Sequence, residues 1–186
     1  MKTHIQVVKY RRKQSGKTDY RTRLNLLSGH KQRIVVRKSL KFITIQIVEY
    51  SPTGDTTLVF ASSKELVKLG WKFGTKNTAA SYLCGLLLGK KAVKAKITHG
   101  VVDLGRYTTN KGNKLFAAVK GLIDAGMKIS INKDVLPSDE RISGAHIAAG
   151  AKSVKSPHQF ANLKKQNINV ADIQKNFTQV KESILR

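Results

Sequence analysis

The segment F-I-T-I-Q-I-V-E, residues 42–49, decides the fold class because its apolar side chains recur at every second position. Ile43, Ile45 and Ile47 share one face of an extended chain, whereas Thr44 and Gln46 point to the opposite face. This alternation is typical of a β-strand with one buried face. The segment therefore predicts a half-buried β-sheet.

The flanking segments predict two further strands of the same sheet. R-I-V-V-R, residues 33–37, precedes the central strand, and T-T-L-V-F-A-S, residues 56–62, follows it. The sequence P-T-G-D, residues 52–55, has the composition of a turn and connects the central strand to the third one. The three segments together predict an antiparallel meander.

Two helical patterns and one short apolar run complete the predicted core. A helix is expected over residues 78–94, capped by Thr78, and a second helix over residues 114–125. Between them V-V-D-L, residues 101–104, is bounded by glycines and reads as a buried strand. Because a helix precedes this strand, we expect it to run parallel to its neighbour. The prediction is an α/β fold with a mixed sheet.

Both ends of the chain differ in character from this core. We expect a basic N-terminal extension with a short helix over residues 18–27, and a helical C-terminal extension. Ile173, Phe177, Val180 and Ile184 form a narrow apolar stripe there, which needs a surface to lie on. The predicted parts are residues 1–29, an α/β core over residues 30–136, and residues 137–186.

The composition favours a polyanionic partner. The chain has 186 residues, of which 35 are Lys or Arg and only 11 are Asp or Glu, so its formal net charge is +24. Such an excess of positive charge is typical of proteins that bind nucleic acid. The longest apolar stretch, residues 79–89, is too short to cross a bilayer, and no secretion signal is evident at the N-terminus. We therefore expect a soluble intracellular protein with no membrane partner.

Three basic segments are the candidate RNA interface: residues 9–23, which hold seven Lys or Arg and one acid, and the loops over residues 69–78 and 105–114. Both loops mix aromatic residues with lysine, glycine and threonine, a combination that RNA-binding proteins use for stacking and phosphate contact. Trp71 and Phe73 have an equally good alternative as core residues. The candidate RNA-binding residues are Lys9, Arg11, Arg12, Lys13, Lys17, Tyr20, Arg21, Arg23, Arg37, Lys38, Trp71, Lys72, Thr75, Lys76, Asn77, Arg106, Tyr107, Lys111 and Lys114.

Within the basic stretch we expect two modes of contact. Arg11, Arg12 and Lys13 are expected to lie extended along phosphates. Lys17, Tyr20, Arg21 and Arg23 are expected to hold the first helix against the RNA.

Patterns that suggest enzymatic or metal chemistry are weak. Asp103 ends a buried strand, where some nucleases place a metal-binding carboxylate, but two-metal chemistry needs several converging carboxylates. We expect Asp103 instead to bond a loop or pair with a neighbouring cation. Cys84 is the only cysteine and is expected to be a packing residue, and the five histidines lack zinc spacing. We expect no catalytic residue, metal, cofactor or small-molecule substrate.

The sequence resembles a known family along nearly its whole length. The matching segments are K-Y-R-R-K-Q-S-G-K-T-D-Y-R-T-R-L, R-I-V-V-R-K-S, L-G-W-K-F-G-T-K-N-T-A-A-S-Y-L-C-G-L-L-L-G-K-K-A, V-V-D-L-G, K-L-F-A-A-V-K-G-L-I-D-A-G and V-L-P-S-D-E-R-I-S-G. They are similar to the large-subunit ribosomal protein family numbered eighteen, in its archaeal form. Residues 145–167 are richer in Lys and Ser than the family pattern, so contacts there transfer least.

This resemblance implies a structural component of the large ribosomal subunit without catalytic activity. The implied partners are 5S ribosomal RNA, large-subunit ribosomal RNA and neighbouring ribosomal proteins of the central protuberance, on cytoplasmic ribosomes. Two alternatives from other classes are a metal-dependent nuclease with a ribonuclease-H-like site and a basic membrane-surface protein. Magnesium-dependent RNA cleavage would support the first, and liposome binding that survives RNase would support the second.

Overall fold

The computed structural model describes residues 8–153, 160–161, 163 and 166–186. Its centre is a four-stranded sheet with the strand order β3-β2-β1-β4. The strands are β1 (Arg33–Lys38), β2 (Ile43–Glu49), β3 (Thr56–Ser62) and β4 (Val101–Asp103). β1 pairs antiparallel with β2, β2 pairs antiparallel with β3, and β4 pairs parallel with β1. The predicted mixed sheet is confirmed.

One face of the sheet is covered by α4 (Thr78–Lys94), which contacts β2 and β3, and α5 (Lys114–Asp124) packs against α4. Ile43, Ile45 and Ile47 are completely buried on this face, as the alternation predicted. Burial of these side chains contributes roughly 1.5 to 3 kcal/mol each to folding. The opposite face is called here the outer face. It carries Arg33, Val35 and Arg37, which alternate along β1 with the buried residues, and Asp103, which aligns with Val35 in β4.

α4 and α5 pack unusually closely because glycines face the partner helix. A Cβ added at Gly85 would lie 2.0 Å from the carbonyl oxygen of Ala118. A Cβ added at Gly121 would lie 2.2 Å from the carbonyl oxygen of Tyr82. Only glycine lets the two backbones approach to this distance.

The start of α4 corrects one prediction. Thr78 is the first helical residue and is buried, while Asn77 is the capping residue and its side-chain oxygen accepts the N–H of Ala80 at 2.7 Å. Asn and Thr both cap helices well, and the sequence N-T offered two adjacent candidates. Cys84 lies fully buried in the middle of this helix.

The N-terminal region forms two short helices, α1 (Arg11–Gln14) and α2 (Tyr20–Ser28). Asp19 caps α2, because its carboxylate accepts the N–H groups of Arg21 and Thr22. α2 lies beside the outer face of the sheet, to which Arg23 is tied through Asp55 of the β2–β3 connection. Residues 1–7 of the predicted N-terminal extension lie outside the described residues.

The C-terminal region is helical, as predicted. After α5 the chain forms α6 (Asp139–Ser143), α7 (Ala145–Ser153) and α8 (Ile173–Leu185). One further helical turn, α3 (Glu65–Lys68), lies earlier in the chain, between β3 and α4. Short 3-10 turns occur at Lys133–Val135 and Val170–Asp172. Most of the aperiodic segment over residues 152–167 lies outside the described residues.

The apolar stripe of α8 packs back on the core. Ile173, Phe177, Val180 and Ile184 are all buried, and α8 contacts α4 directly. The ring of Phe177 lies 5.7 Å from that of Tyr82, centroid to centroid. The surface that the stripe required is therefore α4 of the same chain.

Candidate nucleic-acid interface

The basic stretch is folded and not extended. Arg11, Arg12 and Lys13 lie in the helical turn α1, which corrects the expectation that they run extended along phosphates. The turn is closed by backbone hydrogen bonds from Lys17 and Thr18 to the carbonyl oxygen of Arg12. Gly16 follows this turn closely and has a φ of +67°, a conformation that glycine adopts readily. The chain therefore forms a compact loop here and not an extended arm. All five cations from Lys9 to Lys17 remain exposed.

The residues of α2 face in two directions. Arg21 is exposed, whereas the guanidinium of Arg23 donates to both oxygens of Asp55 at 2.9 and 3.1 Å. The ring of Tyr20 packs against Tyr10, with ring centroids 4.9 Å apart. Arg23 therefore fastens α2 to the sheet in this structure, and the phenol pair is the aromatic surface next to the cations.

The outer face of the sheet carries a chain of ion pairs around Asp103. One carboxylate oxygen of Asp103 accepts Nη1 of Arg33 at 3.0 Å, and the other accepts Nη2 of Arg37 at 2.9 Å and the N–H of Gly105 at 2.8 Å. Arg33 also pairs with Asp55. Burial raises the pKa of Asp103, but the hydrogen bond and charge of Arg37, the Gly105 N–H and the charge of Arg33 outweigh burial, so that its pKa is lowered.

This network settles the interpretation of Asp103 and adds information on Arg37. Asp103 pairs with neighbouring cations and bonds a loop, as expected from the sequence. The guanidinium of Arg37 forms an ion pair with the carboxylate of Asp103 and also donates hydrogen bonds to the backbone oxygens of Val36 and Asp103. Its side chain is still 38% exposed.

The two predicted loops meet at the carboxyl end of β1. The hydroxyl of Tyr107 donates to the carbonyl oxygen of Lys38 at 2.9 Å, and the Lys38 ammonium lies 4.7 Å from the centre of the Tyr107 ring. The ammonium of Lys114 donates to the carbonyl oxygen of Lys76 at 3.3 Å. The hydroxyl of Thr75 donates to the carbonyl oxygen of Lys41 at 2.7 Å. Three segments distant in sequence thus form one continuous basic edge.

Lys114 shows the electrostatic cost of this arrangement. Its pKa is lowered, first by partial burial and then by the positive charges of Lys76 and Lys38. Like charges brought together in this way are stabilised by an anion placed among them. Lys72 and Lys111 are exposed beside this edge.

Trp71 does not belong to the surface, which corrects its place among the RNA-binding candidates. Its side chain is only 2% exposed, and it packs edge-on against Phe73, itself 6% exposed. The indole N–H donates to the carbonyl oxygen of Gly74 at 3.3 Å. A base cannot stack on a ring whose faces are covered, so both aromatics follow the core alternative.

Sequence reasoning also missed several residues of this surface. Arg33 is 2% exposed and central to the ion-pair chain, but its local sequence does not reveal this, because its two acids lie 22 and 70 residues away. Phe60 is 45% exposed and Tyr10 is 70% exposed. The alternation in T-T-L-V-F-A-S could have placed Phe60 outward, because Val59 and Ala61 take the buried positions.

Among the described residues, no group of three or more His, Cys, Asp or Glu side chains is arranged to hold a metal ion. None of the described helices is long and apolar enough to cross a membrane.

The fold and this surface define a class: a small, strongly basic α/β protein whose loops and N-terminal helices form one continuous cationic surface. A sequence model of the family described as "Ribosomal large subunit proteins 60S L5, and 50S L18" matches residues 4–101. The chain belongs to this family, which confirms the resemblance.

Similar proteins extend over nearly the whole chain. "Large ribosomal subunit protein uL18" of Methanococcus maripaludis is 42% identical over 183 residues, 96% of this chain and 95% of that protein. The proteins of the same name from Korarchaeum cryptofilum and Methanothermobacter thermautotrophicus are 39% and 40% identical, and cover 95% and 94% of this chain and 93% of each relative. Family membership implies a structural role in the cytoplasmic ribosome, with ribosomal RNA and ribosomal proteins as partners.

Proposed function

We propose that this protein binds 5S ribosomal RNA and helps anchor it to large-subunit ribosomal RNA in the central protuberance. The proposed contact residues are the accessible members of the candidate set on α1, on α2 and on the basic edge formed by residues 69–78 and 105–114. Neighbouring ribosomal proteins of the central protuberance are the other proposed partners.

The observation that carries this proposal is the continuity of the basic surface. Arg106 donates to the carbonyl oxygen of Gly16 at 3.0 Å, which joins the N-terminal turn to the 105–114 loop. That loop in turn contacts the end of β1 through Tyr107 and the 69–78 loop through Lys114. A long cationic track suits a folded RNA, whose phosphates are spaced along a surface.

We also propose that the protein has no catalytic activity. The support is the state of Asp103, because all of its carboxylate hydrogen bonds described above go to arginines and a backbone N–H. A metal-binding carboxylate would need free oxygens and further carboxylates beside it.

The partner is tested by competition. Purified protein should bind 5S RNA more tightly than a transfer RNA or a scrambled RNA of equal length at the same salt concentration, and a pull-down from lysate with RNA sequencing should recover 5S RNA. Equal affinity for all three RNAs would contradict the proposal. Magnesium-dependent cleavage of RNA, or liposome binding that survives RNase, would favour the nuclease or membrane-surface alternative respectively.

The contribution of the N-terminal turn is tested by salt dependence. Each phosphate neutralised contributes roughly 0.7 to 0.9 to the slope of log affinity against log salt. Deleting residues 1–17 removes the five exposed cations between Lys9 and Lys17 and keeps Asp19 as the cap of α2. If all five engage, the slope should flatten by about 3.5 to 4.5. An unchanged slope would show that this turn is only solvated.

Tyr20→Ala is the matched control for that measurement. Stacking on a base contributes roughly 1 to 3 kcal/mol and depends little on salt. The substitution should therefore weaken 5S RNA binding while leaving the slope as in the wild type. A change of slope would mean that Tyr20 acts by positioning α1 through Tyr10.

A further inference from the structure

A cleft lies between the N-terminal helices and the outer face of the sheet. Its volume is about 330 Å³, and Val35 and Gln46 of the sheet line it together with Leu26 of α2 and Gly105. The charged residues around it are Arg12, Lys17, Asp19, Arg23, Arg33, Arg37, Asp55, Asp103 and Arg106. Three sections of the chain, the N-terminal turn, the sheet and the 103–106 segment, therefore contribute to one enclosure.

The charges around the cleft do not balance. Six of the nine charged residues are cationic and three are acidic, so the lining carries a net charge of +3 by subtraction. The three carboxylates are already engaged: Asp103 with Arg33 and Arg37, Asp55 with Arg23 and Arg33, and Asp19 with the N-terminus of α2. No acidic group of the lining is free to neutralise the remaining cations.

The excess charge sits on Arg12, Lys17 and Arg106. Within the described part of the chain, none of these three forms an ion pair. Two of them are nevertheless held in place: Nε of Arg12 donates to the Thr18 hydroxyl at 2.8 Å, and Nη1 of Arg106 donates to the Gly16 carbonyl at 3.0 Å. Their remaining guanidinium N–H groups are oriented in advance, which lowers the entropy cost of binding an anion.

A buried donor in the cleft lining has no partner of its own. The side chain of Arg33 is 3% exposed, and its Nε is buried without a hydrogen-bond partner among the described residues. Arg23, Arg33 and Arg37 share only two carboxylates, so these three arginines carry one positive charge in excess. Arg33 pairs with both acids, and the excess charge therefore falls on Arg23 and Arg37, whose side chains are 32% and 38% exposed. An anion placed beside them would balance it.

We propose that this cleft is a binding site for a single phosphate group, with Arg12, Lys17 and Arg106 as its direct contacts and Arg33 and Arg37 as the positive groups behind them. Guanidinium groups suit this ligand because their planar N–H donors match two phosphate oxygens at once. The proposal deepens the proposed RNA binding and rests on it for the source of the phosphate, which is either a backbone diester or a terminal monoester.

The first experiment uses inorganic phosphate and the free protein. At constant ionic strength, phosphate should shift the side-chain Nε–H signals of Arg12, Arg33 and Arg106 in a saturable way. Arg12→Gln and Arg106→Gln should each weaken this binding by about tenfold, the effect expected from loss of a charge-assisted hydrogen bond. Arg141→Gln removes an exposed arginine of α6 outside the cleft and should leave the affinity unchanged. Equal affinities in all variants, or shifts spread over every arginine, would overturn the proposal.

The second experiment distinguishes the source of the phosphate. A single-stranded oligoribonucleotide is titrated with either a 5′-hydroxyl or a 5′-phosphate. Equal competition with inorganic phosphate by both forms assigns a backbone diester to the cleft, whereas competition by the phosphorylated form alone assigns a terminal monoester. Competition by neither form would overturn the assignment of the cleft to RNA.

A third measurement separates this proposal from the proposed function. Arg106→Gln should reduce the salt slope of 5S RNA binding by roughly 0.7 to 0.9, whereas Arg141→Gln should not. If 5S RNA binds specifically but Arg106→Gln leaves both affinity and slope unchanged, the cleft proposal fails and the RNA-binding proposal stands. If the wild type shows no preference for 5S RNA, the RNA-binding proposal fails. Saturable phosphate binding would still identify the cleft as a phosphate site.

Discussion

Replacing Asp103 by Asn tests the ion-pair chain on the outer face of the sheet. The substitution keeps the shape of the side chain but removes its charge and turns one acceptor into a donor. The oxygen that accepts both Arg37 and Gly105 has two donors to satisfy, so the amide oxygen should take that position. The new amide NH₂ then faces Nη1 of Arg33, which is also a donor.

The cost follows from the burial of Arg33. Removing one partner of a buried ion pair destabilises by roughly 3 to 5 kcal/mol. Arg33 keeps its contact with Asp55, whose side chain is 24% exposed, so part of the pairing survives. We therefore expect Asp103→Asn to lower the free energy of unfolding by about 3 kcal/mol at pH 7, the low end of that range.

The assay is urea unfolding followed by the fluorescence of Trp71, the only tryptophan, which is buried in the native state. Asp139→Asn is the control, because its pair with Lys120 is at the surface and Asp139 is 91% exposed. That variant should lose less than about 1 kcal/mol. A loss of the same size in both variants would refute the reasoning.

The pH dependence has a definite sign. The folded-state pKa of Asp103 is lowered, so its stabilising contribution is fully present above the unfolded pKa of about 3.9 and is lost as pH falls through the lower folded value. The stability difference between wild type and Asp103→Asn should thus be smaller at pH 3 than at pH 7. A difference that does not change would mean that the charge of Asp103 is not what stabilises the fold. Where the variant is folded, its RNA affinity should stay within a few fold of wild type, with no activity lost.

Three further predictions concern packing. Gly85→Ala should destabilise by about 3 kcal/mol or more in urea unfolding, because its Cβ would meet the backbone of Ala118, whereas Gly150→Ala, which meets nothing within 4 Å, should change little. Phe177→Ala should cost roughly 3 to 5 kcal/mol and Leu185→Ala, at a 42% exposed site of the same helix, much less; equal losses would contradict the packing of α8 on α4. Burial raises the pKa of the Cys84 thiol to about 12, so thiol reagents should label it only at the rate of unfolding; rapid labelling of native protein at pH 8 would contradict this burial.

The sheet could be predicted from the sequence because its signals are local. The spacing of Ile43, Ile45 and Ile47 is a property of one strand, and the glycines around residues 101–104 mark a short strand without reference to the rest of the chain. The expectation that this strand is buried was wrong, because β4 lies at the edge of the described sheet and Val101 and Val102 are half-buried. The antiparallel order of β1, β2 and β3 followed from their short connections, and the parallel direction of β4 followed from the helix before it. The sequence did not show that the neighbour of β4 is β1. The exact cap of α4 did not, because Asn77 and Thr78 are both good capping residues and only the backbone geometry distinguishes them.

The accessible charges could be predicted only in part, because pairing depends on contacts between distant residues. Arg23 and Arg37 looked like two more surface cations, but their acids lie 32 and 66 residues away in sequence. Trp71 looked like a stacking residue because its loop is rich in lysine and glycine, while the cavity it fills is built by other elements. Composition therefore predicted a cationic surface correctly but could not say which cations are neutralised within the fold.

The parallel pairing of β1 with β4 also has a consequence for synthesis of the chain. Arg33 of β1 aligns with Val101 of β4, so 68 further residues must be made after Arg33 before its strand partner exists. At roughly 5 to 20 residues per second, this interval lasts about 3 to 14 seconds. During that time one edge of β1 has no strand beside it, and Arg33 lacks the carboxylate of Asp103. An unpaired strand edge is a site of association with other chains, so the nascent protein is most vulnerable to aggregation between the emergence of β1 and that of Asp103.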